Sequence, residues 1–565
     1  MGRYVNPGSG KFQMGLNSEI YVDKSGLIEK TNALFQTKQR FICLSRPRRF
    51  GKTMAAEMLA AYYGVGEDAS SLFDSLKIAE YPSYEKYLNK YNVLMINMQE
   101  FLSQSKSVDA MIEMLESKVM KELKNLYSEF DYDEVDGFID VMQYVYQESK
   151  RPFVILIDEW DCLFREYKDD KESQKKYLDF LRLWLKDQEY VGLAYMTGIL
   201  PIKKYGSHSA LNMFREYSMT EPSQFLEYFG FTESEVEVLV NRYGADFNEM
   251  RRWYNGYFVD LGTSIYNPTS VSECLSRQNF SSYWNRTETY EALRDYIMLN
   301  YDGLKDKITQ MLAGNSVVIE TETFINDMTT FNSADDVLTL LVHLGYLTYN
   351  FKKKTVCIPN EEIKSEFVAS IKVLKWSNVV DAINESQKLL QAVWDLEFDV
   401  VAEGIQKVHE QNTSILQYND ENSLSCVISL ALYGANEYYT LKSVRDLLNC
   451  DKLNDVGTFD ISSSKCIPRV KTSSSWSLQL DSVVREMPSG KGYADLVFIP
   501  RSGHLDKPAL VVELKWDKDA LGAISQIKER NYISALDDYR DNLILVGVSY
   551  DKKSKSHECV IEKLM

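Results

Sequence analysis

Gly51-Lys52-Thr53 closes the octapeptide R-P-R-R-F-G-K-T at residues 46–53, directly after the apolar run Phe41-Ile42-Cys43-Leu44. A lysine there can reach the β- and γ-phosphates of a nucleotide, and the Thr53 hydroxyl can ligate Mg²⁺. Gly51 lets backbone N–H groups approach phosphate at the start of the helix that Met54-Ala55-Ala56-Glu57 would begin. Arg46 stands where the usual phosphate loop has its first glycine. Arg48 and Arg49 either neutralise phosphate charge or are solvated loop arginines. Downstream, Phe153-Val154-Ile155-Leu156-Ile157 is followed by Asp158-Glu159. An acid at the C-terminal end of a buried strand lies on the sheet edge where such a loop opens. Asp158 is expected to hold the Mg²⁺ shell and Glu159 to polarise the attacking water. A third strand, Gly192–Gly198, ends in Thr197, positioned to sense the γ-phosphate. Either motif alone is common by chance. Their order, each after its own strand, points to an ATP site.

A second constellation lies near the C-terminus. Gly492-Tyr493-Ala494-Asp495 leads into the strand Leu496–Pro500, and Ala509–Trp516 reads as the next strand after a turn at Ser502-Gly503. The two-residue period puts Glu513 and Lys515 on one face and Leu514 on the other. Carboxylates on neighbouring strands, Asp495 and Glu513, can hold a hard divalent cation. A lysine beside them can position a metal-bound water and stabilise the anionic transition state of phosphodiester hydrolysis. The competing reading is a Glu–Lys or Asp–Lys pair at a strand edge.

The elements that must carry these residues fit a large α/β chain. At 565 residues, with 45% hydrophobic and 26% charged residues, the sequence suggests about three or four globular domains. The eight cysteines form no C-x-x-C pair, and the five histidines show no metal-binding spacing. Any catalytic metal is therefore expected on carboxylates, favouring Mg²⁺ or Mn²⁺ over Zn²⁺. A net charge of −18 does not advertise a nucleic-acid binder, although local basic patches decide that affinity. The absence of an apolar run of bilayer length or a signal-peptide core leads to an expectation of cytoplasmic location and no membrane association. Val93–Met98 is a further buried strand, and Met111, Met114, Leu115 and Val119 share a helix face. Residues 290–400 are mostly helical in pattern. Asp335–Val342 begins a helix with Ser333 as N-cap and Gly345 as its stop. A hairpin around Lys352-Lys353-Lys354 follows, which together suggests a winged helix: a lid on the nucleotide, a DNA-reading wing, or merely a solvated tip. Ser462–Ser464 and Ser473–Ser475 read as loops.

Tyr21-Val22-Asp23-Lys24-Ser25, R-P-R-R-F-G-K-T, Ile157-Asp158-Glu159 and Thr197-Gly198-Ile199 together resemble the bacterial AAA-ATPase-like family. Trp253-Tyr254-Asn255-Gly256-Tyr257 and Tyr266-Asn267-Pro268-Thr269-Ser270-Val271 are similar to that family's W-Y-D-G-Y and Y-N-P-x-S-V signatures, over roughly residues 10–290. Arg46 departs from the general phosphate loop but not from this family. Residues 405–565 resemble the PD-(D/E)xK nuclease superfamily in the form often fused to such ATPases, through Glu486–Asp495 and Val512–Lys515. That resemblance implies an α-β-β-β-α-β order, a further acid for which Glu421 is the candidate (with helix capping as its equal competitor), and a glutamine on the following helix, where Gln526 falls, with Tyr532 one or two turns later. The implied fold is multidomain α/β: a P-loop NTPase domain with a parallel sheet at 1–225, a helical and winged-helix lid at 226–400, and a nuclease-like domain at 401–565. The expected activity is ATP binding and hydrolysis controlling a Mg²⁺-dependent nuclease, with DNA favoured over RNA, a homo-oligomer as one assembly, and defence against mobile DNA by analogy. The alternative is a nucleotide-dependent switch or scaffold that binds a protein or nucleic acid without cutting it.

Overall fold

The computed structural model describes residues 1–133, 136–202, 211–221, 224–258, 264–284, 289–299, 301, 303–325, 328–374, 376–412, 421–442, 496–529, 536 and 539–564. The chain divides into two compact units, Met1–Tyr296 with Val318–Ser365, and Ile297–Val317 with Glu366–Met565.

The first unit is built on β1 (Phe41–Ser45), β2 (Asn92–Asn97), β3 (Phe153–Asp158), β4 (Val191–Gly198) and β5 (Arg215–Tyr217). They form one parallel sheet in the order β2-β3-β4-β1-β5. Every residue of β1, β3 and β4 is buried, as expected of apolar runs in a parallel sheet covered on both faces. Because β4 lies between β1 and β3, the phosphate-loop strand and the acidic strand are neighbours once removed. Helix α1 (Lys52–Tyr63) follows β1, and its buried Ala55, Ala56, Ala60 and Ala61 allow close packing. The helix Val108–Leu126, capped by Ser107, buries Met111, Leu115, Val119 and Leu123 at four-residue spacing.

The predicted helix and hairpin also lie in this unit. The Ser333 hydroxyl accepts from Asp336 N, helix Ala334–Leu344 follows, and Gly345 ends it at φ +85°. Strands Thr348–Asn350 and Thr355–Cys357 pair antiparallel, with Phe351–Lys354 exposed at the turn.

The second unit carries β6 (Tyr439–Lys442), β7 (Leu496–Pro500), β8 (Ala509–Trp516), β9 (Leu543–Asp551) and β10 (Ser556–Leu564), in that spatial order. Among the described residues of this sheet, only the β8–β9 pair is parallel, and α2 (Ala520–Glu529) lies in the crossover that a parallel pair requires. Val497, Val511, Ile524, Ile527, Leu543 and Leu545 form its core. Among the described residues, the helix Glu421–Ala431 is followed by a short helix Ala435–Tyr438, then β6, β7, β8, α2, β9 and, at the sheet edge, β10. Asp495, the rest of the Glu486–Asp495 motif, Tyr532 and both serine triplets lie outside the described residues.

Candidate functional site

The turn from β1 into α1 shows why an arginine replaces the first glycine. Arg46 is fully buried and points into the protein. Its N–H donates to Gly198 O at 3.0 Å, and its Nη1 donates to Ser45 O at 2.6 Å and Tyr217 O at 3.0 Å. The guanidinium lies over the Phe229 ring, and burial pushes its pKa down to about 10. Arg46 thus ties the loop to β4 and β5. The next residues grip other parts of the same unit. Arg49, at φ +68°, donates from Nη1 to Tyr283 O at 2.6 Å, and Phe50 meets Tyr257 edge-on. Tyr257 in turn donates from its hydroxyl to Gly345 O at 2.9 Å. Gly51 takes φ +87°, which a side chain would disfavour, and so turns the chain into α1.

Lys52 is the first residue of α1, with its ammonium folded back onto the loop carbonyls of Arg46 at 2.9 Å and Pro47 at 2.8 Å. Burial lowers its pKa, while Glu159, Asp158 and Asp161 pull it up. Thr53 Oγ1 donates to Asp158 Oδ2 at 2.7 Å, and Thr197 Oγ1 donates to Asp158 Oδ1. Residues from the loop, β3 and β4 therefore converge on one buried carboxylate. Hydroxyl and carboxylate oxygens are the donors a hard cation such as Mg²⁺ takes.

Glu159 leaves β3 at φ +55° and pairs with Arg165, whose Nε is also 3.4 Å from Asp161 Oδ2. Burial raises the Glu159 pKa, with Arg165 pulling the other way. Arg165 stays firmly charged: burial opposes its charge, but Asp161 and Glu159 outweigh it. Asp161 is fully buried and accepts from Ile199 N at 3.0 Å and Leu200 N at 2.8 Å, bracing the segment after β4. Sequence reasoning missed both Asp161 and Arg165. Their signal was the i,i+4 acid–base spacing just after the Asp-Glu pair.

A cavity of about 1060 Å³ opens over these groups. Gly51, Lys52, Thr53, Glu159 and Arg165 line it, as do Arg48 and Arg49. Asp158 and Thr197 are buried beside Thr53 rather than lining it. Tyr21, Val22, Pro268 and Thr269 form other parts of the wall, which gives the outlying sequence motifs a place. Within Y-V-D-K-S, Asp23 accepts from Lys77 N at 2.7 Å, and Lys24 donates to Glu235 and to Glu227 O, both at 2.6 Å. Asn267 caps the helix Pro268–Arg277 through Thr269 N and Ser270 N.

In the second unit, Glu513 is almost fully buried on β8, and its Oε1 accepts from Lys515 Nζ at 2.7 Å. Gln526 on α2 donates to the same oxygen. The same-face expectation for Glu513 and Lys515 is met, and Leu514 is buried on the other side. Glu421 begins the helix Glu421–Ala431. Among the described residues no cluster of three His, Cys, Asp or Glu side chains could hold a metal, and no helix is long and apolar enough to cross a membrane.

The first unit combines a five-stranded parallel sheet, a G-K-T loop opening a helix and an Asp-Glu pair at the end of a later strand, the arrangement of a P-loop nucleotide-binding fold. Residues 12–207 match the model of a family described as AAA-ATPase-like, predicted AAA-ATPase. A protein of Azotobacter chroococcum mcd 1, described as an uncharacterized protein in the vnfD 5' region, is 25% identical over 338 residues, covering 58% of this chain and 60% of that protein. The chain thus spans about three-fifths of the length of this curated relative. A solved structure of the Aeropyrum pernix ORC2 protein, in ADPNP–ADP complexes, aligns with TM-score 0.30 and 9% identity over 64% of this chain and 98% of that one, a likeness too slight to carry an argument.

Proposed function

We propose that this protein binds and hydrolyses ATP in its first unit and that this reaction controls a Mg²⁺-dependent nuclease in its second. The observation that carries the ATPase reading is the convergence of Thr53 and Thr197 on Asp158 beside the cavity lined by Lys52 and Glu159. Lys52 and the N–H groups opening α1 would bind the β- and γ-phosphates, with Arg48 and Arg49 adding positive charge. Thr53 and Asp158 would hold Mg²⁺, which when bound neutralises phosphate charge. Thr197 would fix Asp158 and report the γ-phosphate through it. Glu159 would take the proton of the attacking water as the water oxygen bonds to the γ-phosphorus. The bond to the β–γ bridging oxygen breaks, giving ADP and phosphate.

Support for the nuclease comes from the buried Glu513 carboxylate, flanked by Lys515 and Gln526 on a mixed sheet. A buried carboxylate is costly unless paired or metal-bound, and carboxylate oxygens suit Mg²⁺. Asp495 and Glu513 would hold the ion, and Lys515 would orient water and stabilise the phosphorane-like charge. DNA is the proposed substrate ahead of RNA, with restriction of mobile DNA as the biological setting. The test is cleavage of plasmid and single-stranded DNA with Mg²⁺, with and without ATP, by the wild type, Asp495→Ala, Glu513→Gln and Lys515→Ala. The proposal expects ATP-dependent cutting by the wild type only. Equal cutting by all four would refute the nuclease assignment. DNA or protein binding without cutting would favour a nucleotide-dependent switch.

A further inference from the structure

Arg165 is held on two sides by carboxylates of different character. Asp161, on the Nε side, is itself fixed by two backbone N–H groups and is fully buried. Glu159, on the Nη2 side, lines the cavity together with Arg165, Lys52 and Thr53. One end of the guanidinium therefore sits 3.4 Å from a carboxylate that the backbone holds in place, an ion pair rather than a hydrogen bond, while the other faces the space into which Lys52 would draw a terminal phosphate. The Glu159 backbone is in the left-handed region, which is unfavourable for a residue with a side chain. That conformation brings its carboxylate to Arg165 at the cavity wall. An ion pair serving only stability could be made with Asp161 alone, without that conformation.

From this we infer that Arg165 distinguishes ATP from ADP: its outer N–H groups exchange Glu159 for the γ-phosphate while its charge stays paired with Asp161. This rests on the proposed ATP site and adds the discriminating group. A planar guanidinium suits the exchange because it bonds carboxylate and phosphate oxygens with the same fork. The exchange also frees Glu159 to accept a proton only when a γ-phosphate is present. With ADP, nothing competes for the outer N–H groups, and Glu159 remains paired. Arg165 is thus a specificity-determining residue for the terminal phosphate and a positioning residue for Glu159.

Equilibrium binding of ADP and of a β,γ-imido ATP analogue, both with Mg²⁺, tests this on the full chain. The variants are Arg165→Ala, Arg165→Lys and Glu159→Gln. For Arg165→Ala the expectation is a loss of about tenfold or more in analogue affinity, with a loss below about threefold for ADP. Arg165→Lys keeps the charge but not the fork, and should fall between this variant and the wild type. Glu159→Gln removes the competing charge while keeping Arg165, and should tighten the analogue several-fold with little change for ADP. It gives an answer even if Arg165→Ala does not fold. Equal changes for both nucleotides in the Arg165 variants, or an unchanged affinity ratio in Glu159→Gln, would overturn the assignment and leave the ATP site standing. A wild type that binds neither nucleotide would overturn both.

Discussion

Replacing Asp161 by alanine should destabilise the first unit through the backbone it braces, with little effect through exposed charge. The carboxylate is fully buried, and one of its oxygens accepts both Ile199 N and Leu200 N. Alanine strands both donors, and a buried unsatisfied donor costs about 1–3 kcal/mol. Arg165 also loses one of its two carboxylate partners. The sum is on the order of 4 kcal/mol. Asp161→Asn keeps an acceptor oxygen for the two N–H groups and loses only the charge, so about 1–2 kcal/mol is expected. For a unit of this size that corresponds to a fall of about 5–6 °C for alanine and about 2 °C for asparagine in the calorimetric transition of the first unit. Hydrogen exchange gives a local reading: the Ile199 and Leu200 amides should exchange faster in the alanine variant than in the asparagine variant. An alanine variant melting within about 2 °C of the wild type would refute the reasoning. Equal damage from both substitutions would also refute it, by showing that charge rather than the backbone contacts is what matters.

Two glycines separate strain from collision. Gly51 has φ +87° with nothing within 4 Å of an added Cβ, so Gly51→Ala should cost only the backbone term of about 1–2 kcal/mol, read by thermal unfolding. Gly345 has φ +85°, and a Cβ there would lie 2.7 Å from Pro47 Cβ and 2.9 Å from Trp284. Gly345→Ala should therefore be the more damaging by about 1–3 kcal/mol in the same measurement. In the second unit, His557 is buried against His409 and Tyr550 and bonded to Gln406. Burial, and then His409, lower its pKa from 6.5 to about 3. The unfolded chain binds a proton below pH 6.5 that the native chain refuses until about pH 3, so stability falls as pH drops through that window. The slope approaches about 1.4 kcal/mol per pH unit. Urea unfolding between pH 7 and 5 should show a shallower slope in His557→Gln, and an unchanged slope would contradict the account.

The chemistry at strand ends was legible because it depends on local order. Lys52 and Thr53 follow an apolar strand, Asp158 and Thr197 end two others, and any parallel sheet brings such ends to one edge. Glu513 and Lys515 were legible on one face from the two-residue period alone, whereas the bond from Gln526 to the same carboxylate was not foreseen, because it depends on how α2 packs on β8. The order β2-β3-β4-β1-β5 was not legible, because crossover connections rather than residue types set which parallel strands adjoin. Arg46 could be marked as unusual but not explained, since its partners Gly198 and Tyr217 are remote in sequence. Arg49 read as a phosphate ligand or a solvated arginine, and its bond to Tyr283 O depends on tertiary packing in the same way. The edge strand β10 was missed because its core-facing residues include His557 and Cys559, a weak apolar signal between exposed charges.

The most direct test of the central claim is phosphate release from Mg²⁺-ATP by the full chain, comparing the wild type with Lys52→Ala and Glu159→Gln. The account predicts turnover in the wild type and a loss of at least about a hundredfold in each variant, through lost phosphate binding in the first and lost proton acceptance in the second. Phosphate release at the wild-type rate in both variants would contradict it.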